Sequence, residues 1–279
     1  MRTRIFALLL TIALSACGGY HRASTLPPEA SFATGPLART LVFDDEFSGG
    51  SLDAKTWYTC YPYAPPGYGC SNNPGMELEW YEAANVSVSG GALHLVAERH
   101  AVTEGGRTYP YTSGMISTGG TPAGRSTFAF LYGYVEARIK MPCGAGMWPA
   151  FWLVPANRTW PPEIDMMEYQ GVQPTIDEVH IHWGKSSNPQ QYGEGVDTHV
   201  NLCAGYHAYA VDWNASSVTW YFDGKPIARY ADKTNVPHVP MYVILNLAIG
   251  GWVDGQMHPS PKSFPATMLV DWVRVYSET

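Results

Sequence analysis

Short apolar segments with alternating polar positions, separated by turn residues, run through most of the chain beyond residue 40. Such alternation predicts β-strands, because successive side chains on a strand point to opposite faces. The predicted strands are 92–98, 132–141, 148–154, 163–170, 178–183, 206–213, 218–222, 242–249 and 268–276. No segment carries the long 3.6-residue period of an amphipathic helix. The pattern predicts a single all-β domain over 40–279, built as a sandwich or barrel.

Turn residues divide these strands. Asp223-Gly224 predicts a hairpin turn between the apolar segments 220–222 and 226–228. Residues 58–76 are so rich in proline and glycine that they predict a long loop, and loops of that length tend to be functional.

The predicted strand 163–170 carries three carboxylates within six residues and has no lysine or arginine nearby. Alternation places Glu163 and Asp165 on one face, but Glu168 falls one position out of step. One extra residue at Met166-Met167, a β-bulge, brings all three acids onto the same face, and bulges are common beside active sites. The alternative is an edge strand whose acidic side chains face solvent.

Aromatic residues are abundant, with 10 tryptophans and 18 tyrosines, and such rings stack well on flat apolar ligand faces. Trp148 and Trp152 share one face of the predicted strand 148–154, where they form either a stacking wall or part of the core. Asn246 is the one strongly polar side chain in strand 242–249. It makes either a core hydrogen bond or a ligand contact.

The formal net charge is −7, and the sequence has no basic run or basic amphipathic segment. This balance argues against nucleic acid or another anionic polymer as the partner. Neither an internal repeat nor a second domain boundary is evident, and we expect a monomer.

The N-terminal segment has the layout of an export signal. Arg2 and Arg4 precede a short apolar run over residues 5–14, and residues 14–17 (Leu-Ser-Ala-Cys) resemble a bacterial lipobox. We therefore expect 1–16 to be a signal peptide, Cys17 to be lipidated, and 17–39 to be a flexible tether on an exported lipoprotein at the outer membrane or cell surface. The alternative is ordinary cleavage that leaves Cys17 free. Loss of two arginines leaves 15 basic and 24 acidic residues, a formal charge of −9.

Four further cysteines remain, an even number in an exported chain, and predict disulfides. Of the three possible pairings we favour Cys60–Cys70, which closes the proline-rich loop, together with Cys143–Cys203. A zinc site is the alternative, but no paired C-x-x-C spacing supports it.

Segments 163–168 and 146–153 together resemble glycoside hydrolase family 16. The resemblance extends over the domain through residues 44–47, 51–53 with Trp57, 76–81, 132–142, 246–252 and 270–276, in order and at similar spacing. It implies a β-jelly roll of two bent antiparallel sheets whose concave face forms a glycan cleft.

The resemblance also implies endo-hydrolysis with retention, with Glu163 as nucleophile, Glu168 as acid/base and Asp165 as the assisting residue between them. No cofactor is implied for catalysis. Charge on Glu163 and Asp165 disfavours ionisation of Glu168 and so helps to keep it a proton donor.

The bulged spacing resembles the branch of the family that holds β-1,3-glucanases and galactan hydrolases. We therefore expect cleavage of β-1,3-glucan, with mixed-linkage β-1,3-1,4-glucan as a further substrate. The alternatives are the same chemistry on a β-galactan or a bacterial exopolysaccharide, and a non-catalytic glycan-binding module, which we expect to have lost one of the acids. Met115 and residues 253–255 depart from the family pattern where outer subsites are built.

Within the implied cleft, Trp148, Trp152 and Trp252 resemble the stacking residues of the sugar subsites. Asn246 and Glu77 are the candidate partners of sugar hydroxyls.

His180 and His182 share one face of the predicted strand 178–183. Two histidines without a third ligand are more often cleft or structural residues than a metal site. The family layout implies that His182 is a cleft contact near Glu168.

Family members often bind a structural calcium ion on the convex face. Glu46 and Gly91, through main-chain carbonyl oxygens, and Asp271, through its carboxylate, match those positions, and calcium prefers oxygen ligands.

Overall fold

The structure, a computed structural model, describes residues 39–62, 70–72, 75–253 and 257–278. The expected signal peptide, Cys17 and nearly all of the expected tether lie outside the described residues. Within the described part of the chain, no helix has the length and apolar character needed to cross a membrane.

The described residues form eighteen strands and two 3-10 turns. The strands are β1 Arg39–Asp45, β2 Glu79–Tyr81, β3 Val86–Ser89, β4 Ala92–Ala97, β5 Val102–Glu104, β6 Arg107–Tyr109, β7 Tyr111–Ser113, β8 Met115–Ser117, β9 Gly133–Lys140, β10 Met147–Pro155, β11 Glu163–Glu168, β12 Ile176–Lys185, β13 Asn188–Asp197, β14 His207–Trp213, β15 Val218–Phe222, β16 Lys225–Tyr230, β17 Met241–Ile249 and β18 Ala266–Glu278. The 3-10 turns are Ala83–Asn85 and Pro261–Ser263.

Two antiparallel sheets carry the fold. An eight-stranded sheet has the order β16-β15-β14-β9-β18-β4-β3, with β1 also paired to β18, and a six-stranded sheet has the order β13-β12-β11-β10-β17-β8. Two small pairs, β2 with β7 and β5 with β6, complete it. The all-β class predicted from alternation is confirmed.

The core lies between the two sheets. Along β9, Val135, Ala137 and Ile139 are fully buried while the residues between them are half-buried, as expected of a strand with one face on the core. β10 and β17 are buried at every position, because their second face forms the floor of a cleft. Continuous apolar strands at this place in the sheet therefore mark the centre of the molecule.

Each predicted segment overlaps a strand of the structure, most within one or two residues at either end. Asp223 and Gly224 form the predicted hairpin turn between β15 and β16, and both have the positive φ angles that such a turn requires. The sequence did not predict β13, whose segment is polar and contains glycine and proline, so that no apolar alternation marks it. Both favoured disulfides, Cys60–Cys70 and Cys143–Cys203, are present.

Candidate active site

A cleft of about 400 Å³ lies on the face of the six-stranded sheet that points away from the core. It brings together every residue predicted to be catalytic or glycan-binding. Its lining comprises Tyr61, Asn72, Met76, Glu77, Trp148, Ala150, Trp152, Trp160, Glu163, Asp165, Glu168, His180, His182, Gln191, Asn246, Ala248 and Trp252.

The predicted bulge lies in β11. Its pairing with β10 passes from Phe151 opposite Met167 to Trp152 opposite Asp165, so Met166 is the extra residue. Met166 and Met167 are both buried in the core, which turns the acidic side chains on either side towards the cleft. The alternative, an edge strand with solvent-facing acids, is thereby excluded, because β11 lies between β10 and β12.

A bulge interrupts the ladder of backbone hydrogen bonds and leaves polar groups to be satisfied elsewhere. Here the indole Nε1 of Trp220, on β15 of the opposite sheet, donates a hydrogen bond of 2.7 Å to the backbone carbonyl of Asp165. Trp220 is fully buried. The eight-stranded sheet therefore supports the bulge of β11 directly.

Glu163 and Asp165 meet His182. Trp160 Nε1 donates to Glu163 Oε2 at 3.0 Å, and His182 Nε2 lies 3.5 Å from Glu163 Oε1 and 3.3 Å from Asp165 Oδ2. Asp165 is only 3% exposed, and its Oδ2 accepts no hydrogen bond from the described part of the chain.

Glu168 is held from two sides. Trp148 Nε1 donates to its Oε1 at 3.1 Å, and His180 Nδ1 lies 2.8 Å from its Oε2. The expectation that His182 lies near Glu168 is wrong. The register of β11 with β12 places His182 opposite Glu163 and His180 opposite Asp165, one step from Glu168.

Burial and mutual repulsion dominate the electrostatics of these acids. Burial raises the pKa of Glu163 well above its ordinary value and the charge of Asp165 adds to this, whereas His182 and the Trp160 hydrogen bond oppose it. Burial, followed by the charge of Glu168, likewise raises the pKa of Asp165. Burial lowers the pKa of His180, but the hydrogen bond and charge of Glu168 outweigh it, and the net pKa is raised.

Asn246 is the hub of a buried hydrogen-bond network. Trp152 Nε1 donates to its Oδ1 at 2.8 Å, and its Nδ2 donates to the Tyr81 hydroxyl at 2.9 Å. Asn246 is 3% exposed and lies on the cleft floor. Its amide therefore fixes the orientation of the Trp152 indole. This is the buried hydrogen bond that the sequence offered as one of two alternatives, the other being a ligand contact.

The cleft tryptophans differ in exposure. Trp148 and Trp152 are 9% and 7% exposed, whereas Trp252 and Trp160 are 37% and 40% exposed. Trp252 packs edge-on against Trp148 with ring centroids 4.9 Å apart. Flat faces available for stacking thus belong mainly to Trp160 and Trp252.

Sequence reasoning missed Trp160, Tyr61, Gln191 and the role of His180. Trp160 lies three residues before Glu163, and its position beside the acidic strand was the available signal. Glu77, which was predicted, is 4% exposed and accepts a hydrogen bond from the backbone N–H of Asn72 at 3.2 Å.

Arginine side chains engage both carboxylates among the residues matched to a calcium site. Glu46 accepts two hydrogen bonds from Arg274, at 2.8 and 3.0 Å, and Asp271 is paired with Arg138 at 2.5 Å. Gly91 lies in the turn between β3 and β4, with a φ of +77°. Calcium would have to displace Arg138 from the Asp271 carboxylate, whereas Arg274 engages only the side chain of Glu46 and not the main-chain oxygen expected to bind the ion.

Met115 departs from the family pattern, and the structure corrects its expected place at an outer subsite. It is fully buried beside Tyr242 and Ile244, and it pairs with Asn246 across β8 and β17. Met115 therefore lies on the same face of the sheet as Asn246, buried beside the cleft floor rather than in the inter-sheet core.

Comparison with known proteins gives concordant matches. The sequence model of the glycosyl hydrolases family 16 matches residues 76–274. Endo-1,3-1,4-beta-glycanase EglC of Rhizobium meliloti is 36% identical over 256 residues, which cover 85% of this chain and 52% of that protein. Beta-glucanase of Rhodothermus marinus is 32% identical over 258 residues, which cover 85% of this chain and 84% of that protein. The chain spans about half the length of the first curated relatives it matches.

Among solved structures, endo-beta-1,3-glucanase from Pyrococcus furiosus superposes with a TM-score of 0.74 at 30% identity, covering 86% of this chain and 95% of that one. This likeness confirms the predicted β-jelly-roll class.

Proposed function

Because the chain belongs to the glycosyl hydrolases family 16, we propose that it is a retaining endo-glycoside hydrolase acting on β-1,3-glucan, and on mixed-linkage β-1,3-1,4-glucan as well. The observation that carries this proposal is the bulged strand β11, which presents Glu163, Asp165 and Glu168 together on the floor of a tryptophan-lined cleft. Paired carboxyl groups on either side of a bound sugar are what glycoside hydrolysis requires.

In the first step Glu163 attacks the anomeric carbon while Glu168 protonates the departing glycosidic oxygen. The bond to the leaving sugar breaks as the ester to Glu163 forms, and Glu168 is left as a carboxylate. His180, 2.8 Å from Glu168, stabilises that charge when protonated.

In the second step water attacks the anomeric carbon, Glu168 takes its proton, and the Glu163 carboxylate is released. Two successive inversions restore the original β configuration. Asp165 lies between the glutamates, and its raised pKa allows it to take a proton when both are charged, which limits their repulsion.

The substrate assignment rests on the relatives and on the chemistry of the lining. The matched proteins bear the names endo-1,3-1,4-beta-glycanase, beta-glucanase and endo-beta-1,3-glucanase. The described residues that line the cleft include tryptophans, acids and amides but no lysine or arginine, which suits a neutral glucan better than a sulphated galactan.

The test is to incubate the purified protein with laminarin, lichenan, agarose and xyloglucan and to follow the oligosaccharides released. We expect a ladder of products from laminarin, and from lichenan at a comparable or lower rate. Cleavage of agarose alone would support the β-galactan alternative, and binding of laminarin without cleavage would support the non-catalytic module.

We further propose that the enzyme is an exported lipoprotein attached to a membrane through Cys17. The lipobox-like residues 14–17 after a short apolar run support this. Labelled fatty acid should be incorporated by the wild-type chain expressed in a bacterium, and Cys17→Ser should abolish incorporation. Incorporation into Cys17→Ser would refute the assignment.

A further inference from the structure

Three potential metal ligands meet on the cleft floor. One oxygen each of Glu163 and Asp165 and one ring nitrogen of His182 lie within 4.8 Å of one another. The sequence showed two histidines without a third ligand, and the register of β11 with β12 supplies the missing carboxylates. One imidazole with two carboxylates is a ligand set that zinc accepts, with a fourth position left open.

The two distances from His182 to its carboxylate partners match the edges of a tetrahedral site. Zinc binds nitrogen at about 2.0–2.1 Å and oxygen at about 2.0–2.2 Å, so ligand atoms in a tetrahedron lie roughly 3.3–3.5 Å apart. His182 Nε2 lies 3.3 Å from Asp165 Oδ2 and 3.5 Å from Glu163 Oε1. Both separations exceed the usual N–H···O range of about 2.7–3.2 Å. His182 is therefore spaced from each carboxylate as two ligands of one ion are, and the third separation is within 4.8 Å.

A second group, Asp165 with Glu168 and His180, also lies within 4.8 Å but fits less well. His180 Nδ1 is 2.8 Å from Glu168 Oε2, a hydrogen-bond distance, and Trp148 already occupies the other Glu168 oxygen at 3.1 Å. An ion here would have to open that contact. The two groups share Asp165, which favours one ion at the His182 site.

Burial and charge also favour a cation at this point. Asp165 is 3% exposed, and its Oδ2, directed at His182, accepts no hydrogen bond from the described residues. No lysine or arginine is among the described residues that line the cleft, although three carboxylates meet there. A divalent ion would neutralise this concentrated negative charge.

We propose that Glu163, Asp165 and His182 form a zinc-binding site, and that zinc bound there inhibits the enzyme reversibly. When zinc binds the carboxylate of Glu163, that carboxylate cannot attack a sugar. The zinc ion also takes the place in which the reacting sugar must lie. Zinc binding itself is independent of the proposed function, whereas inhibition rests on it.

Binding is tested by titrating the purified full-length protein with zinc in competition with a chromophoric chelator at pH 7.5. We expect one equivalent to bind. His182→Ala should weaken binding by more than the roughly 10–100-fold that loss of an outer-shell partner costs. His180→Ala, on the same strand and face, is the matched control and should bind zinc nearly as the wild type does.

Cobalt(II) provides a readout that is independent of affinity and of activity. A tetrahedral site gives intense visible absorption bands, which we expect in the wild type and in His180→Ala but not in His182→Ala. Failure of the wild type to bind one equivalent, or equal binding by wild type and a folded His182→Ala, would overturn the site. Loss of zinc only in His180→Ala would assign it to the other group and overturn the proposal as stated.

Inhibition is tested separately by following laminarin cleavage against zinc concentration. Cleavage should fall with the measured zinc affinity, and excess chelator should restore it. Laminari-oligosaccharide should weaken zinc binding in the chelator assay. Full activity with the site saturated would overturn inhibition while leaving the site intact. If no glycan is cleaved without zinc, the proposed function fails and the titration still reports on the site.

Discussion

Gly193 on β13 lies directly opposite His180 on β12, and the imidazole occupies the space where a side chain at Gly193 would be. A Cβ built on Gly193 would overlap His180 Cδ2 and lie 2.6 Å from Nε2. In this position over Gly193, the His180 ring places its Nδ1 2.8 Å from Glu168 Oε2. The glycine is required for space.

Gly193→Ala should therefore displace His180 and disturb Glu168. We expect kcat to fall by up to about 10²-fold, the scale of a 1 Å misplacement, with little change in KM. Because Glu168 raises the pKa of His180, its displacement should also lower that pKa, which NMR titration of the imidazole measures. Gly205→Ala is the control, since a Cβ there meets nothing within 4 Å. Wild-type kcat in a folded Gly193→Ala would contradict the positioning role.

Substitutions of the two glutamates should separate their roles. Glu163→Ala and Glu168→Ala should each lose laminarin hydrolysis, Glu168→Ala by about 10²–10⁴-fold, as expected for loss of an acid/base group. Azide should rescue Glu163→Ala with an α-glycosyl azide, by one inversion, and Glu168→Ala with a β-glycosyl azide, by two. Glu178→Gln, a nearby acid that does not line the cleft, is the control. The opposite pairing of anomers would reverse the assignment.

Trp160→Phe should shift the acid limb of the pH profile. Burial raises the pKa of Glu163, and the hydrogen bond from the Trp160 indole lowers it. Loss of that hydrogen bond should therefore raise the pKa of Glu163 further. Glu163 must be ionised to attack, and the acid limb of kcat/KM should therefore move to higher pH. Trp252→Phe is the control, because within the described part of the chain this cleft indole makes no hydrogen bond to the three acids. An unchanged limb, or one at lower pH, would count against Glu163 as the group that titrates.

Asp177 should make stability depend on pH. It is fully buried, and neither carboxylate oxygen has a hydrogen-bond partner within the described residues. Burial raises its pKa well above the ordinary value of about 3.9, so the folded state binds the proton more tightly than the unfolded chain does. The stability contributed by proton binding to Asp177 is fully present below the ordinary pKa of about 3.9, and it is lost as pH rises through the higher pKa of the folded state.

Asp177→Asn should consequently raise the melting temperature at pH 7.5 and change it little near pH 4. We expect a gain on the order of 1–3 kcal/mol, the scale of the desolvation penalty of a buried polar group, because the neutral amide has no charge to bury. Asp44→Asn makes the same change at an exposed carboxylate and should have little effect at either pH. A lower melting temperature for Asp177→Asn at pH 7.5 would show that the carboxylate has a stabilising partner.

Local alternation predicted the acidic strand, and the out-of-step Glu168 was sufficient to predict its bulge. The cleft was predicted from the resemblance to the family, because alternation alone left open whether Trp148 and Asn246 lie in the core or line a binding site. Cross-strand register is not local, and for that reason His182 was expected beside Glu168, where the structure places His180.

Contacts between segments that are far apart in sequence could not be predicted either, because they too depend on how the strands pair and pack. Trp220 supports the bulge from the opposite sheet, and Tyr81 joins Asn246 from 165 residues away in sequence. β13, which supplies Gly193, was missed because its polar sequence carries no period. Gly193 matters because it has no side chain and so leaves room for His180, a relationship that is seen only in the folded structure.

The most direct test of the double-displacement mechanism is the configuration of the first product. Proton NMR of laminarin hydrolysis, recorded before mutarotation, distinguishes the anomeric proton of the new reducing end. Attack by Glu163 and then by water should give the β-anomer first, with the α-anomer appearing later as mutarotation proceeds. The α-anomer as the first product would mean single displacement by water and would contradict a covalent intermediate on Glu163.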